Sequence, residues 1–448
     1  MEMHQLDRRK PVRRRAQTAL TLISLAAASL SCAQAFLVQP HRHTRTLRMG
    51  VAAPPPAVRQ KPVKKDWLGR VKEPPESKVS EPKPTLREWM DASIREWMNV
   101  RDARIGVLIL NLGGPLMEND VESFLFNLFM DGEIFRLPAA LRWLQEPLAY
   151  LISKARSPKT SEAYRSIGGG SPILGYTQAQ GEALTRQLRR MGYDAQTYIA
   201  MRYSAPYTRT AVTEMLSDNV DGVVILPLYP HFSVSTSGSS INILKKYSRM
   251  FIDMPHTVVT EWYDRPGYTK AVANLIQREI DSFTADERRE GIHVLFSAHG
   301  VPKSYIQNGD PYQDHIVKTI DTVKRQYSAD VSTHLSYQSK VGPVEWLQPY
   351  TDDMIESLAK QGVKNLVVVP ISFVSEHIET LEEIDIEYRH LAHEKGIRNW
   401  RRVPALNVDP LFIKDLAELV AESLDQPVLS LNEVCFKKYK TSFEQYDE

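Results

Sequence analysis

Two short segments of this 448-residue chain hold the residue types that acid–base and metal chemistry require. In "VLFSAHG" the imidazole of His299 follows an apolar run directly and precedes Gly300. In "FVSEHIETLEEIDIEY" a histidine, His377, stands among Glu376, Glu379, Glu382, Glu383, Asp385 and Glu387, just after the apolar "VVVPIS". One imidazole and one carboxylate make a mixed N/O site for a divalent transition metal, with coordination positions left open. A structural zinc site would use more ligands and close its shell, so two protein ligands suit a metal that is handed on. The same pair can move protons, because neutral imidazole near pH 7 is the usual general base. A reaction that inserts a metal and releases protons would use both properties. A lone histidine at a strand end is more often structural; the acidic segment at the end of a sister strand is what favours chemistry.

Spacing narrows the acidic segment. Glu379, Glu383 and Glu387 fall at i, i+4 and i+8, so on a helix they form one carboxylate column, with Ile378, Leu381, Ile384 and Ile386 available to bury the other sides. Arg389 is the one arginine close in sequence to neutralise them. His377 and Glu379 are two apart and diverge on a regular α-helix, so their convergence demands an irregularity at the helix entrance. A solvated helix face is the plain alternative.

These residues need strands to position them, and the chain supplies four continuous apolar runs bounded by Gly or Pro: "RIGVLILNLGG", "DGVVILPLYP", "GIHVLFSAHG" and "VKNLVVVPISF". Runs without polar alternation indicate parallel strands covered on both faces. Segments with helical spacing, such as "YTKAVANLIQREIDSF" and "TDDMIESLAKQG", separate them. The expected class is α/β, with doubly wound, Rossmann-like parallel sheets flanked by helices. The runs come in look-alike pairs in the same order, which predicts two similar halves, 86–285 and 286–425, with a cleft between them at the strands' carboxyl ends. "NLGGP" and "SIGGGSP" lack both the dinucleotide-binding and the Walker spacing, so they read as close-approach backbone.

The net charge of +2 hides an asymmetry. Residues 1–85 carry 17 Lys/Arg against 6 Asp/Glu, and the remainder is acidic. An acidic body argues against nucleic-acid binding. The basic end reads as a leader: 1–35 is signal-peptide-like, with "RRKPVRRR" before "ALTLISLAAASL", and 36–85 is a transit-peptide-like segment running into a Pro-rich linker. Such a bipartite leader predicts delivery to a plastid. Cys32 and Cys435 are the only cysteines, too few for a disulfide framework or a zinc finger, and 426–448 forms a polar tail. No segment after the leader is long and apolar enough to span a bilayer.

Seven segments in one order carry a family resemblance: "LNLGGP", "SPKTSEAYRSIGGGSPI", "MRYSAP", "LPLYPHFSVSTSGSS", "LFSAHGVPKSYIQNGDPY", "YQSKVGPVEWLQPYTDD" and "FVSEHIETLEEIDIEY". Together they resemble ferrochelatase, most closely its plant and cyanobacterial branch. The resemblance implies a lyase that inserts Fe2+ into protoporphyrin IX to form protohaem with release of two protons, the last step of haem biosynthesis. It makes His299 and Glu379 the catalytic pair, with His299 the proton acceptor. His299, Glu379 and His377 become the metal-contacting set, and Glu383 and Glu387 the polar path toward it. Arg202 and Tyr203 match residues on the other side of the macrocycle. Leu112 and Phe373 match ring-packing positions, and Arg156, Tyr164 and Ser171 match porphyrin contacts. Fe2+ enters as substrate and no permanently bound cofactor is expected. The cysteine-ligated iron–sulfur cluster of the animal-type enzyme has no ligands here beyond Cys435. Many plant and cyanobacterial members of that family end in a hydrophobic chlorophyll-binding helix, whereas the tail here reads as polar. Residues 134–153, with Phe135, Leu141, Trp143, Leu144, Leu148 and Leu151, are the candidate for peripheral membrane contact, against an ordinary buried helix. The expected location is the plastid, stromal or peripheral to its membranes. The competing readings are a cobalt or nickel chelatase of another tetrapyrrole, which should want a more basic cleft, and a non-catalytic haem- or metal-binding protein.

Overall fold

The computed structural model describes residues 82–93 and 103–434, apart from residues 136, 138, 252–253, 328–330 and 343. The expected signal-like segment and nearly all of the transit-like segment lie outside the described residues. All elements below belong to one compact unit, Pro82–Lys340 with Glu345–Glu448.

The four apolar runs form the centre of two sheets. β1 (Ile105–Asn111), β3 (Gly222–Pro227) and β7 (Asn365–Pro370) are buried at every residue, and β5 (Ile292–His299) at all but His293 and His299. Burial of both faces requires helices above and below, which is why these strands lack polar alternation. With β2 (Ala195–Met201), β4 (His256–Val258), β6 (Ser332–Gln338) and β8 (Asn399–Arg402) they build two four-stranded parallel sheets, ordered β2-β1-β3-β4 and β6-β5-β7-β8. The repeated order is the structural form of the look-alike pairs. In each sheet the chain leaves the first strand on one side and returns on the other, so a crevice opens beyond β1 and β3, and beyond β5 and β7.

The two sheets share packing across the expected boundary at 285/286. Helix Pro266–Asp281 packs on helix Tyr312–Lys324 and on β7, while helix Pro410–Leu424 packs back on helices Ile173–Arg190 and Pro266–Asp281. Asp415 holds this crossing, accepting from Arg265 at 3.0 Å and from the Tyr268 backbone N–H at 2.8 Å. One core cluster consequently includes Val107 and Ile109 of the first sheet with Phe296 and Val367 of the second. Within the tail expected to be polar, Val428, Leu431 and Val434 are buried, the last two against the first sheet. Residues 435–448 lie outside the described residues.

The turn after β1 explains its glycines. Gly113 has φ +84°, and a Cβ there would collide with Ser204 Oγ; a Cβ on Gly114 would collide with the Ser171 side chain. Glycine is required because three loops meet at one point, not because a phosphate is cradled.

Each sheet is followed by the same irregularity. A π-helix, Val234–Gly238, follows β3, and a longer one, Glu379–Tyr388, follows β7. π-helices are rare, and they frequently mark functional sites. Residues 134–153 do not form one helix: a 3₁₀ segment, Ala139–Leu144, runs into helix Gln145–Ser166. Trp143 is 69 % exposed and Leu151 55 %, while Phe135 packs against the cluster around Tyr164. No helix among the described residues is long and apolar enough to cross a membrane.

Candidate active site

His299 is the last residue of β5, and its backbone is clamped before its side chain does anything. Its N–H donates to Ser372 Oγ at 2.9 Å, and its carbonyl accepts from the Tyr312 hydroxyl at 2.9 Å. Tyr312 and Ser372 share a further hydrogen bond of 2.7 Å. Both partners lie on other elements, so the imidazole leaves the strand in one direction. Its Nδ1 lies 2.9 Å from Glu379 Oε2. With Nδ1 donating to the carboxylate, Nε2 is left with its lone pair.

Glu379 opens the π-helix, and His377 stands just before its entrance, where the two side chains can meet at one point. His377 Nε2 lies 3.8 Å from the same Glu379 oxygen, close but beyond hydrogen-bond reach. His377 Nδ1 is satisfied by the Ser375 carbonyl at 3.1 Å, whereas its buried Nε2 has no partner. An unpartnered buried lone pair beside a carboxylate is a place for a proton or a cation. Phe373 packs between the two imidazoles, its ring centroid 6.1 Å from that of His299 and 4.2 Å from that of His377.

Electrostatics separate the acids of the column. Burial pushes the Glu379 carboxyl up, but the charge and hydrogen bond of His299, with His377 behind, pull it well below the usual carboxylate range. Burial likewise works against the His299 cation, yet Glu379 outweighs it and raises the imidazole above its ordinary value. Glu383 behaves oppositely. Burial and the Glu379 charge push it up to about 7, although Ser339 N–H at 2.9 Å, Ser339 Oγ at 2.6 Å and the Tyr388 hydroxyl at 2.9 Å all donate to it. Glu387 is exposed at the outer end. Glu387 thus stands at the solvent end and Glu379 at the imidazole pair, and Glu383 is the most heavily hydrogen-bonded of the three.

Two of the three acids off the column are occupied elsewhere. Glu376 is buried and accepts from Arg402 Nη1 at 2.8 Å and from the Ala405 N–H at 3.0 Å. Asp385 pairs with Arg389 and faces Arg402 Nε at 3.4 Å. The expectation of Arg389 alone as counter-charge is thus corrected: Arg402, from β8, is the second cation, and its distance in sequence hid it.

The remaining expected residues fall into a second group. Tyr164 and Tyr203 are buried in one cluster, against which Leu112 and, from the opposite sheet's loop, Ile378 pack. The Tyr164 phenol is pushed up by burial and then by the Glu379 charge. Arg202 is an ion-pair partner of buried Asp131 at 2.7 Å, and the Tyr203 hydroxyl donates to the same carboxylate oxygen at 2.6 Å. Ser239 donates to that oxygen as well and accepts from Arg202 Nε at 2.8 Å. Arg156 is exposed, with its guanidinium 5.7 Å above the Phe129 ring. Ser171 is half-buried and tied through its N–H to the Pro115 carbonyl at 2.7 Å. Sequence reasoning missed Asp131, Ser372, Ser339 and Tyr312. "MDGE" reads as a turn, and nothing local in it announces a buried acceptor for an arginine beyond another strand. Among the described residues no group of three or more His, Cys, Asp or Glu is arranged to close around a metal.

The ferrochelatase family profile matches residues 104–424, a span that takes in both sheets and both groups of residues. The chain belongs to the ferrochelatase family. It is 54% identical over 335 residues to the ferrochelatase of Synechococcus sp. strain RCC307, covering 74% of this chain and 85% of that one. The Nostoc sp. strain PCC 7120 ferrochelatase is 53% identical over 337 residues, covering 74% and 85%. Ferrochelatase-2, chloroplastic, of Arabidopsis thaliana is 51% identical over 330 residues, covering 72% and 64%. The chain is accordingly an enzyme, a metal chelatase of the ferrochelatase type, and its two repeated parallel sheets are the family's scaffold in this chain.

Proposed function

We propose that this ferrochelatase inserts Fe2+ into protoporphyrin IX, and that the His299–Glu379 pair with the unpartnered His377 Nε2 carries the reaction. A metal-free porphyrin holds two N–H protons that must leave as iron enters. His299 Nε2 takes a proton, and Glu379, ionised under the influence of both histidines, stabilises the imidazolium that results. Glu383, with a pKa near neutrality, passes the proton outward to exposed Glu387. The second proton follows the same route once His299 is neutral again. Phe373, beside both imidazoles, and Leu112 offer apolar surface to the macrocycle, backed by buried Tyr164 and Tyr203. Arg156 and Ser171 serve the porphyrin's polar margin, a guanidinium being suited to a carboxylate. Arg202 stays with Asp131 and shapes the opposite wall.

The enzyme works in a plastid, reached through the leader expected over residues 1–85; the chloroplastic relative from Arabidopsis supports this. Exposed Trp143, Tyr150 and Leu151 support a peripheral contact with its membranes. Metalloporphyrin formation from protoporphyrin IX and Fe2+ by the purified chain is the test, followed by absorbance under anaerobic conditions. Loss of turnover in His299→Ala and in Glu379→Ala, with folding retained, supports the roles given; turnover that survives both substitutions removes the pair from the mechanism. Binding of haem without formation of it would instead identify a carrier.

A further inference from the structure

A groove of about 360 Å3 opens where edge strand β8 meets helix Arg389–Lys395. Arg389, Arg398, Arg401 and Arg402 line it, with Trp400 and a single acid, Glu279. Four guanidinium groups in one groove repel each other unless anions hold them. Two are answered from within the protein: Arg402 by Glu376 at 2.8 Å and Asp385 at 3.4 Å, and Arg389 by Asp385. Arg398 and Arg401 pair with no carboxylate among the described residues. Arg401 instead lies over the Phe283 ring at 4.9 Å and donates to Ser282 Oγ at 3.2 Å.

One further donor has no acceptor. Trp400 is 5 % exposed and its indole N–H is buried and unpartnered, whereas Arg402 Nε faces Asp385 Oδ2 at 3.4 Å. A buried donor left unmatched is destabilising. Excess guanidinium, with one orphaned N–H beside it, calls for a ligand rich in acceptor oxygens and negative charge. Phosphate meets both needs, and guanidinium matches its oxygens in pairs. The volume falls at the lower end of small-molecule sites, roughly 300–1,000 Å3.

We propose that this groove binds the phosphate group of a small anion, a phosphomonoester or diphosphate of nucleotide size, and that occupancy is felt at the active site through Arg402. The connection is short. Glu376, which Arg402 holds, also accepts from the Thr380 hydroxyl, and Thr380 Oγ1 accepts the His377 N–H at 3.1 Å. A phosphate that engages Arg402 competes with Glu376 and loosens the turn carrying His377 and Glu379. The site stands apart from the reacting pair and does not depend on which tetrapyrrole is metallated.

Pyrophosphate and ADP are titrated calorimetrically into the full chain in metal-free buffer at constant ionic strength. Saturable binding with one site per chain is expected, weakened at least tenfold in Arg398→Glu and in Arg398→Ala/Arg401→Ala. Arg398→Glu leaves Arg401 packed on Phe283, so its loss of binding does not reflect a lost fold. Faster amide exchange at residues 377–380 in the bound chain is the expected sign of coupling. Sedimentation with phosphatidylglycerol vesicles that depends on Arg398, without binding of the soluble anions, identifies a lipid headgroup as the source of the phosphate. Absence of binding to any of these probes, or equal binding by the variants, overturns the site; unchanged exchange at residues 377–380 overturns the coupling.

Discussion

Each half brings one carboxylate to the site, and the two are treated differently. At the first, one Asp131 oxygen receives Arg202, Tyr203 and Ser239 together. At the second, one Glu379 oxygen receives His299 at 2.9 Å and stands 3.8 Å from His377. A guanidinium remains charged at any working pH, so Asp131 is bound permanently. An imidazole changes charge near neutrality, so the grip on Glu379 can be released and re-formed. The same fold supplies a fixed wall on one side and a proton-exchanging wall on the other. Exposure agrees: Asp131 is 6 % exposed, whereas His299 and Glu379 are 33 % and 21 % exposed along their side chains.

The contrast can be broken most forcefully at the labile end. His299→Ala should lower kcat by about 10²–10⁴-fold, the usual contribution of a positioned general base, with thermal stability near that of the parent. A loss below tenfold would remove the base from His299.

At the fixed end the expected damage is to folding. Asp131→Ala strands the Arg202 charge in a buried setting and should cost about 3–5 kcal/mol of stability by denaturant titration. A variant as stable as the parent, yet inactive, would mean that Asp131 takes part in chemistry and that the two walls are alike.

Glu383 sharpens the difference through pH. Its folded value is raised to about 7, so the native state favours the protonated form, and stability is lost as pH rises through that value. Glu383→Gln should therefore be about 1–3 kcal/mol more stable than the parent at pH 8, with the gain shrinking to about 1 kcal/mol or less at pH 5, read from thermal or denaturant melts. A gain at pH 5 of the same size would assign the effect to packing instead.

The acid limb of the rate profile provides a smaller, more specific signal. His299 must be neutral to accept a proton and its value is raised by Glu379, so the rate should fall as pH drops through that raised value. In Glu379→Gln the limb should move to lower pH, whatever the remaining rate; an unmoved limb would place the titrating group elsewhere. Smallest of all, Glu387→Gln should change the apparent KM for Fe2+ by about twofold or less at moderate salt, because an exposed charge is screened.

Much of this was legible in the chain. Continuous apolar runs without alternation identify strands buried on both faces, and β1, β3, β5 and β7 are those strands. A histidine at a strand's end and a carboxylate column after its sister strand marked the chemistry, and the two-residue separation of His377 and Glu379 demanded the irregular helix that Glu379–Tyr388 forms. These features are local, since burial pattern and helix phase act over a few residues.

What the chain could not display is pairing across distance. Arg202 with Asp131, Arg402 with Glu376, and Tyr312 and Ser372 around His299 join residues that only the crossing of strands and helices brings within 3 Å. Residue type and spacing determined which groups could react. The tertiary structure decided which of the acids is neutralised permanently, which is raised to neutrality and which faces an imidazole, because a carboxylate's charge is set by the donors and burial around it rather than by its place in the chain.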